Sequence, residues 1–125
     1  MDAPGLIPSL IGAPLSPAGG PAAGTVEDLL VDDASRPVWL LVRLRGATRR
    51  PYTFVPAQQM ATHARTIVVP YDESALRDAP VRLDHPGPFR RAHATLLSRY
   101  YGVRAPSSDA HPLRGAPARV TRVAA

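Results

Sequence analysis

Fifteen prolines and nine glycines divide a chain of 125 residues into short pieces. Proline fits neither a helix interior nor a central ladder, and glycine marks turns, so the chain suits short strands joined by turns better than long helices. At this length one domain around one compact core is expected. Cysteine is absent, which excludes disulfides, thiolate catalysis and cysteine-ligated metal, and fits a reducing compartment. The apolar stretch Met1–Leu15 is broken by Pro4, Pro8 and Pro14 and carries no positive charge, so neither a signal peptide nor a membrane span is expected. The expected location is the cytoplasm, without membrane insertion.

The formal net charge is +5, and every basic residue is arginine. Residues 1–103 hold eleven Arg and nine acids, whereas residues 104–125 hold four Arg and one Asp. The body is therefore close to balanced and the surplus lies mostly in the tail, a faint pointer towards polyanions.

Strict alternation identifies the clearest strand, Pro37–Arg45. Val38, Leu40, Val42 and Leu44 occupy one face, and Trp39, Leu41, Arg43 and Arg45 the other. Gly24–Val31 offers a partner, and Asp32-Asp33-Ala34-Ser35 between them is turn chemistry, so the two read as a hairpin. A basic turn, Gly46–Arg50, leads to a strand over Pro51–Pro56, and Thr66-Ile67-Val68-Val69 within Arg65–Pro70 supplies another. Leu10–Leu15 reads as a short first strand, with Ser16–Gly24 as its turn. Asp72–Asp78 resembles one helical turn with Asp72 as N-cap, ending before Pro80.

The period then changes. Phe89, Ala92, His93, Leu96, Leu97, Tyr100 and Tyr101 form one apolar stripe of an amphipathic helix near 88–101. Pro88 stands where the first helical residue should be, and Gly102 just past the end. Arg90 and Arg91 in the first turn oppose the helix dipole, a cost that a partner or nearby carboxylate would offset. Residues 104–125 are rich in Pro, Ala and Arg and aperiodic. They are expected to be a flexible tail, unless Arg119–Val123 adds a strand to an available edge.

In order and spacing these pieces resemble a PRC-barrel domain. Leu10-Ile11-Gly12-Ala13-Pro14-Leu15, then Gly24–Asp32, then the apolar strand around Trp39, are similar to the opening of that family. Val55-Pro56, Val68-Val69-Pro70-Tyr71, Asp78-Ala79-Pro80 and the close at Tyr100-Tyr101-Gly102 continue its pattern. The resemblance covers residues 6–103, after an N-terminal extension over 1–5. It implies a mainly β fold, a small β-barrel with a C-terminal amphipathic helix, that binds other macromolecules without enzymatic activity. Known members include part of a ribosome maturation factor and the cytoplasmic part of a photosynthetic reaction-centre subunit. This sequence shows neither the preceding maturation-factor domain nor a transmembrane helix, so neither task is transferred to it.

No catalytic set is legible. His63, His85, His93 and His111 lack metal-ligand spacing, and His93 reads as a histidine tucked beside the core. Asp84 could orient His85 or simply form a turn before Pro86. Glu27-Asp28, Asp32-Asp33 and Asp72-Glu73 are adjacent pairs, which point to opposite faces of a strand or serve turns and caps. No nucleophile elbow or phosphate-binding glycine loop is present, so no catalytic residue, metal or cofactor is expected.

Binding surfaces remain. Arg43, Arg45, Arg49 and Arg50 gather four guanidiniums at a strand end and turn, either a solvated hairpin tip or a dock for carboxylate or phosphate. No aromatics interleave with them, which disfavours single-stranded nucleic acid. Trp39, with Leu41, is either covered by the C-terminal helix or forms an apolar patch for self-association. Arg90 and Arg91 complete the candidate patch. The first expectation is an adaptor binding protein partners, with a homodimer among them. The second is RNA or ribosome-precursor binding through the Arg-rich turn and basic tail.

Overall fold

The computed structural model describes residues 10–104 and 111–112. It contains β1 (Pro14–Ser16), β2 (Gly24–Val31), β3 (Pro37–Leu44), β4 (Tyr52–Pro56), β5 (Ala61–His63), β6 (Thr66–Val68), α1 (Glu73–Arg77), α2 (Arg91–Tyr101) and β7 (His111–Pro112). The fold is mainly β. Strands run in the order β4-β3-β2-β1-β6-β5, with β1 and β6 parallel and the other neighbours antiparallel. β7 adds to β2 opposite Leu30 and Val31. The expected 1–5 extension and Arg119–Val123 strand lie outside the described residues.

The β2–β3 hairpin forms where alternation and turn chemistry place it. Asp32 Oδ1 accepts from the N–H groups of Ala34 and Arg36, both at 2.9 Å, closing the turn. Ladder register pairs Val26 with Val42, Leu29 with Leu40 and Leu30 with Trp39. A bulge between Val26 and Asp28 inserts one residue, which lets Val26 and Leu29 share a face although three positions apart. β1 is shorter than its expected span: only Pro14–Ser16 pairs, and Leu10 is buried ahead of it in a turn.

Both faces of the sheet are covered. Leu15, Val26, Leu29, Leu40, Val42, Val55 and Ile67 share one core with Leu76 of α1. Leu30, Trp39, Leu41 and Phe54 form the other, beneath Leu97 of α2. β3 is therefore apolar on both sides until Arg43, which is why Trp39 and Leu41 alternate with a second apolar set.

The sheet is open: β4 and β5 stand at its two ends, and no ladder joins them among the described residues. Beyond β4, Leu83 exchanges N–H···O bonds with Tyr52 at 3.1 and 2.8 Å, and Thr53 Oγ1 donates to Val81 O at 2.7 Å. That segment occupies the edge which closure would need. β5 makes with β6 a hairpin that alternation did not reveal. All three of its residues are exposed, and its turn residues Ala64 and Arg65 are both left-handed, with φ 51° and 69°.

α1 has the expected cap. Asp72 accepts from Ala75 N–H at 2.8 Å and from Ser74 Oγ at 3.0 Å, which holds its carboxyl below the usual range. α2 departs from expectation at its start. Arg90, not a residue before Pro88, is the N-cap, and Phe89 stays outside the helix. The Phe89 ring inserts over Trp39 and Phe54, at 5.1 and 4.6 Å between centroids. The helix is rotated accordingly: Leu97 and Ser98 are buried and Ala94 and Tyr101 half-buried, while Ala92, Leu96 and Tyr100 face outward. Gly102 ends it in the left-handed conformation, φ 71°, as expected.

Candidate functional site

The end of β3 and the β3–β4 connection, residues 43–51, bring together four of the seven residues singled out from the sequence. The stem is fixed by backbone bonds: Leu44 N–H donates to Pro51 O at 2.7 Å and Arg45 N–H to Ala23 O at 2.8 Å. Gly46 turns the chain with φ 78°. Arg50 also adopts a left-handed conformation, φ 47°, unfavourable for a residue with a Cβ unless its surroundings impose it.

Those surroundings come from the segment 73–84. Arg82 donates from Nε to Arg50 O at 2.7 Å, from Nη1 to Arg77 O at 2.6 Å and from Nη2 to Arg49 O at 3.4 Å. Arg77 donates from Nη2 to Arg45 O at 3.0 Å and from Nε to Glu73 at 2.8 Å. Asp84 Oδ1 accepts from Arg50 N–H at 3.0 Å. Two arginines and an aspartate thus hold the loop by its backbone, the rigid guanidinium fork of Arg82 spanning three carbonyls.

What the loop presents is charge. Arg43, Arg45, Arg49 and Arg50 are exposed, and among the described residues none of their guanidiniums makes a hydrogen bond or ion pair. Glu73, Asp78 and Asp84 lie on the bracing segment, so the patch mixes six guanidiniums with three carboxylates. Its chemical capacity is bidentate recognition of oxyanions by side chains whose backbone is already fixed.

The other three candidates lie elsewhere. Trp39 is 1% exposed, covered by Phe89 and α2, so it forms no surface patch and the covering alternative is the one observed. Arg90 and Arg91 stand at the start of α2, beside the Phe89 that covers Trp39. Trp39 is four residues along β3 from Arg43, roughly 13 Å in an extended strand, so these arginines belong to a different surface. Arg77 and Arg82 were not legible as parts of the site, because their acceptors are backbone carbonyls up to 33 residues away in sequence.

Among the described residues, His63, His85 and His93 share no metal-binding cluster. His93 lies beside Phe54 and Phe89, and its Nδ1 accepts from Arg90 N–H at 3.3 Å. Burial, and then the Arg90 charge, push its pKa below the usual histidine value. Asp84 is committed to the Arg50 amide rather than shown orienting His85. His63 borders a shallow groove of about 530 Å³ between the β1–β2 loop and the β5–β6 hairpin. Among the described residues no three His, Asp or Glu side chains converge, and no helix is long and apolar enough to cross a membrane.

The chain matches no known family model, and no curated protein is significantly similar to it.

Proposed function

We propose that the chain is a non-catalytic interaction module of PRC-barrel type that docks an acidic protein partner through the β3–β4 loop. The observation that carries this reading is the pairing of four exposed, unpartnered guanidiniums with a backbone braced by Arg77, Arg82 and Asp84. A loop held in a strained conformation by distant side chains has lost its conformational freedom before binding, which lowers the entropy cost of docking. A hairpin tip that served only solvation would not need such bracing.

A protein surface suits the patch better than a polyphosphate backbone. The three carboxylates beside the guanidiniums make the field short-ranged and patterned, which a patterned surface matches and a uniform polyanion meets as repulsion. The aromatic beside these arginines, Tyr52 opposite Arg43, is half-buried and packs against the core that α2 covers, so its ring is not an open platform for a base. The order of strands and turns that resembles the PRC-barrel family supports the same role, in the cytoplasm.

Binding of a Glu-rich peptide and of a structured RNA hairpin, each titrated across salt, tests the reading. The peptide is expected to bind the wild type and to lose roughly tenfold in affinity with Arg49→Glu/Arg50→Glu. Peptide affinity unchanged in that variant removes the loop from the docking surface. Tighter, steeply salt-dependent binding of the RNA, lost in the same variant, replaces the protein partner with nucleic acid.

A further inference from the structure

Helix α2 does two things at once. Its inner side seals the core through Leu97, and its outer side leaves Leu96 49% and Tyr100 41% exposed, the large apolar side chains most open to solvent among the described residues. Ala92, Leu96 and Tyr100 succeed one another at four-residue steps, so they form a ridge along the outer face. Arg91, Thr95 and Arg99 form the adjacent row, all exposed. Between residues 85 and 104 the sequence has four arginines and no carboxylate, although residues 1–84 hold eight arginines against nine acids. The helix and its immediate flanks, residues 85–104, thus carry a net charge of +4, against −1 for residues 1–84.

We infer that the outer face of α2, centred on Leu96 and rimmed by Arg90 and Arg99, is a second docking surface, and that it takes an acidic protein segment with an apolar contact at its middle. An apolar centre within an arginine rim is the composition that separates interface patches from ordinary surface. Charge complementarity selects the occupant. A second copy docked through the same face brings the two Arg99 side chains towards each other, which like charge opposes. A lipid surface requires a broad apolar face sunk below the headgroups, whereas the Tyr100 hydroxyl is tied to Ala75 O at 2.8 Å and only Leu96 projects freely. Asp72 and Asp78 of the neighbouring α1 region lie close enough to raise the Tyr100 pKa, after its burial. A uniform polyanion would meet those carboxylates, and a patterned acidic protein segment can avoid them.

The probe is a 15-residue helical peptide with Leu on one stripe and Glu around it, added to the isotope-labelled full chain and followed by NMR shifts and affinity. Shifts are expected at Leu96, Arg99 and Tyr100 of the wild type. Leu96→Ser and Arg99→Glu are each expected to weaken binding roughly tenfold, while Arg65→Glu, the same charge change on the β5–β6 turn, leaves it intact. Leu96→Ala serves if the serine variant does not fold, and the wild-type shifts stand without either. Shifts confined to the β3–β4 loop, an Arg65→Glu effect equal to that of Arg99→Glu, or a Glu-only peptide shifting Leu96 and Tyr100 as strongly would overturn the inference. Capture by phosphatidylglycerol vesicles but not by the peptide would also overturn it, in favour of a membrane surface. In the Arg49→Glu/Arg50→Glu chain the shifts at Leu96, Arg99 and Tyr100 are expected to persist whether or not binding at the loop is lost, so the two docking surfaces fail or stand separately.

Discussion

Arg82, half-buried beneath the β3–β4 loop, decides the shape of the backbone that presents Arg49 and Arg50. Its three acceptors are carbonyls of Arg49, Arg50 and Arg77, which share no pattern with it in sequence. Nothing local could therefore mark it, whereas the four presented arginines were legible as a cluster. Arg82→Lys keeps the charge and loses the fork. The expected outcome is a loss of about 1–2 kcal/mol in unfolding free energy, with faster amide exchange at Arg50, measured by denaturation and hydrogen exchange. Gly24 is a second residue with a specific duty. A Cβ there would lie 2.6 Å from Arg43 O and 2.9 Å from Val42 Cγ1, so β2 and β3 could not keep their spacing. Gly24→Ala is expected to lower the melting temperature, most visibly through lost protection of the β2–β3 ladder. His93 carries a pH dependence. Its pKa lies below the usual 6.5 in the folded chain, so below that value the unfolded chain binds more protons. Stability therefore falls as pH drops through the ordinary histidine range. His93→Gln, which keeps an acceptor for Arg90 N–H but does not titrate, flattens the urea midpoint over that range.

At the scale of elements, periodicity located β2, β3, β4, β6 and α1 because each has one dominant cause: alternation, β-branching or a cap. It mislocated the face of α2 because Phe89 is claimed by Trp39 and Phe54 before the helix begins. Counting from Phe89 therefore shifts the stripe towards Leu96 and away from Ser98. Leu97, common to both versions, is the residue that anchors the helix, and Leu97→Ala is expected to cost about 2–4 kcal/mol, against near zero for Leu96→Ala. β5 escaped notice because its residues are exposed on every side and its turn lacks the usual glycine. Ala64 and Arg65 take the paired left-handed geometry that Asn-Gly satisfies without strain. Ala64→Asn/Arg65→Gly is accordingly expected to raise stability by about 1–2 kcal/mol, read as a higher denaturation midpoint.

For the whole molecule, a sheet apolar on both faces must be covered on both. α1 closes one side and α2 with Phe89 the other. That requirement buries Trp39, converts the alternating face of β3 from candidate surface to core, and pushes the display of charge to where the strands run out. Sequence alone could place Trp39 on a face but could not say whether something lay over it, because the cover comes from residues 50 positions downstream. The same topology leaves the basic loop at one end of the sheet and the outer face of α2 on its flank.

The most direct measurement is capture from native lysate with tagged wild-type chain and tagged Arg49→Glu/Arg50→Glu, each with and without nuclease, read by mass spectrometry. The predicted result is an acidic protein enriched on the wild type, retained after nuclease and lost from the charge-reversed chain. Partners that vanish with nuclease, or that both chains capture equally, would contradict it.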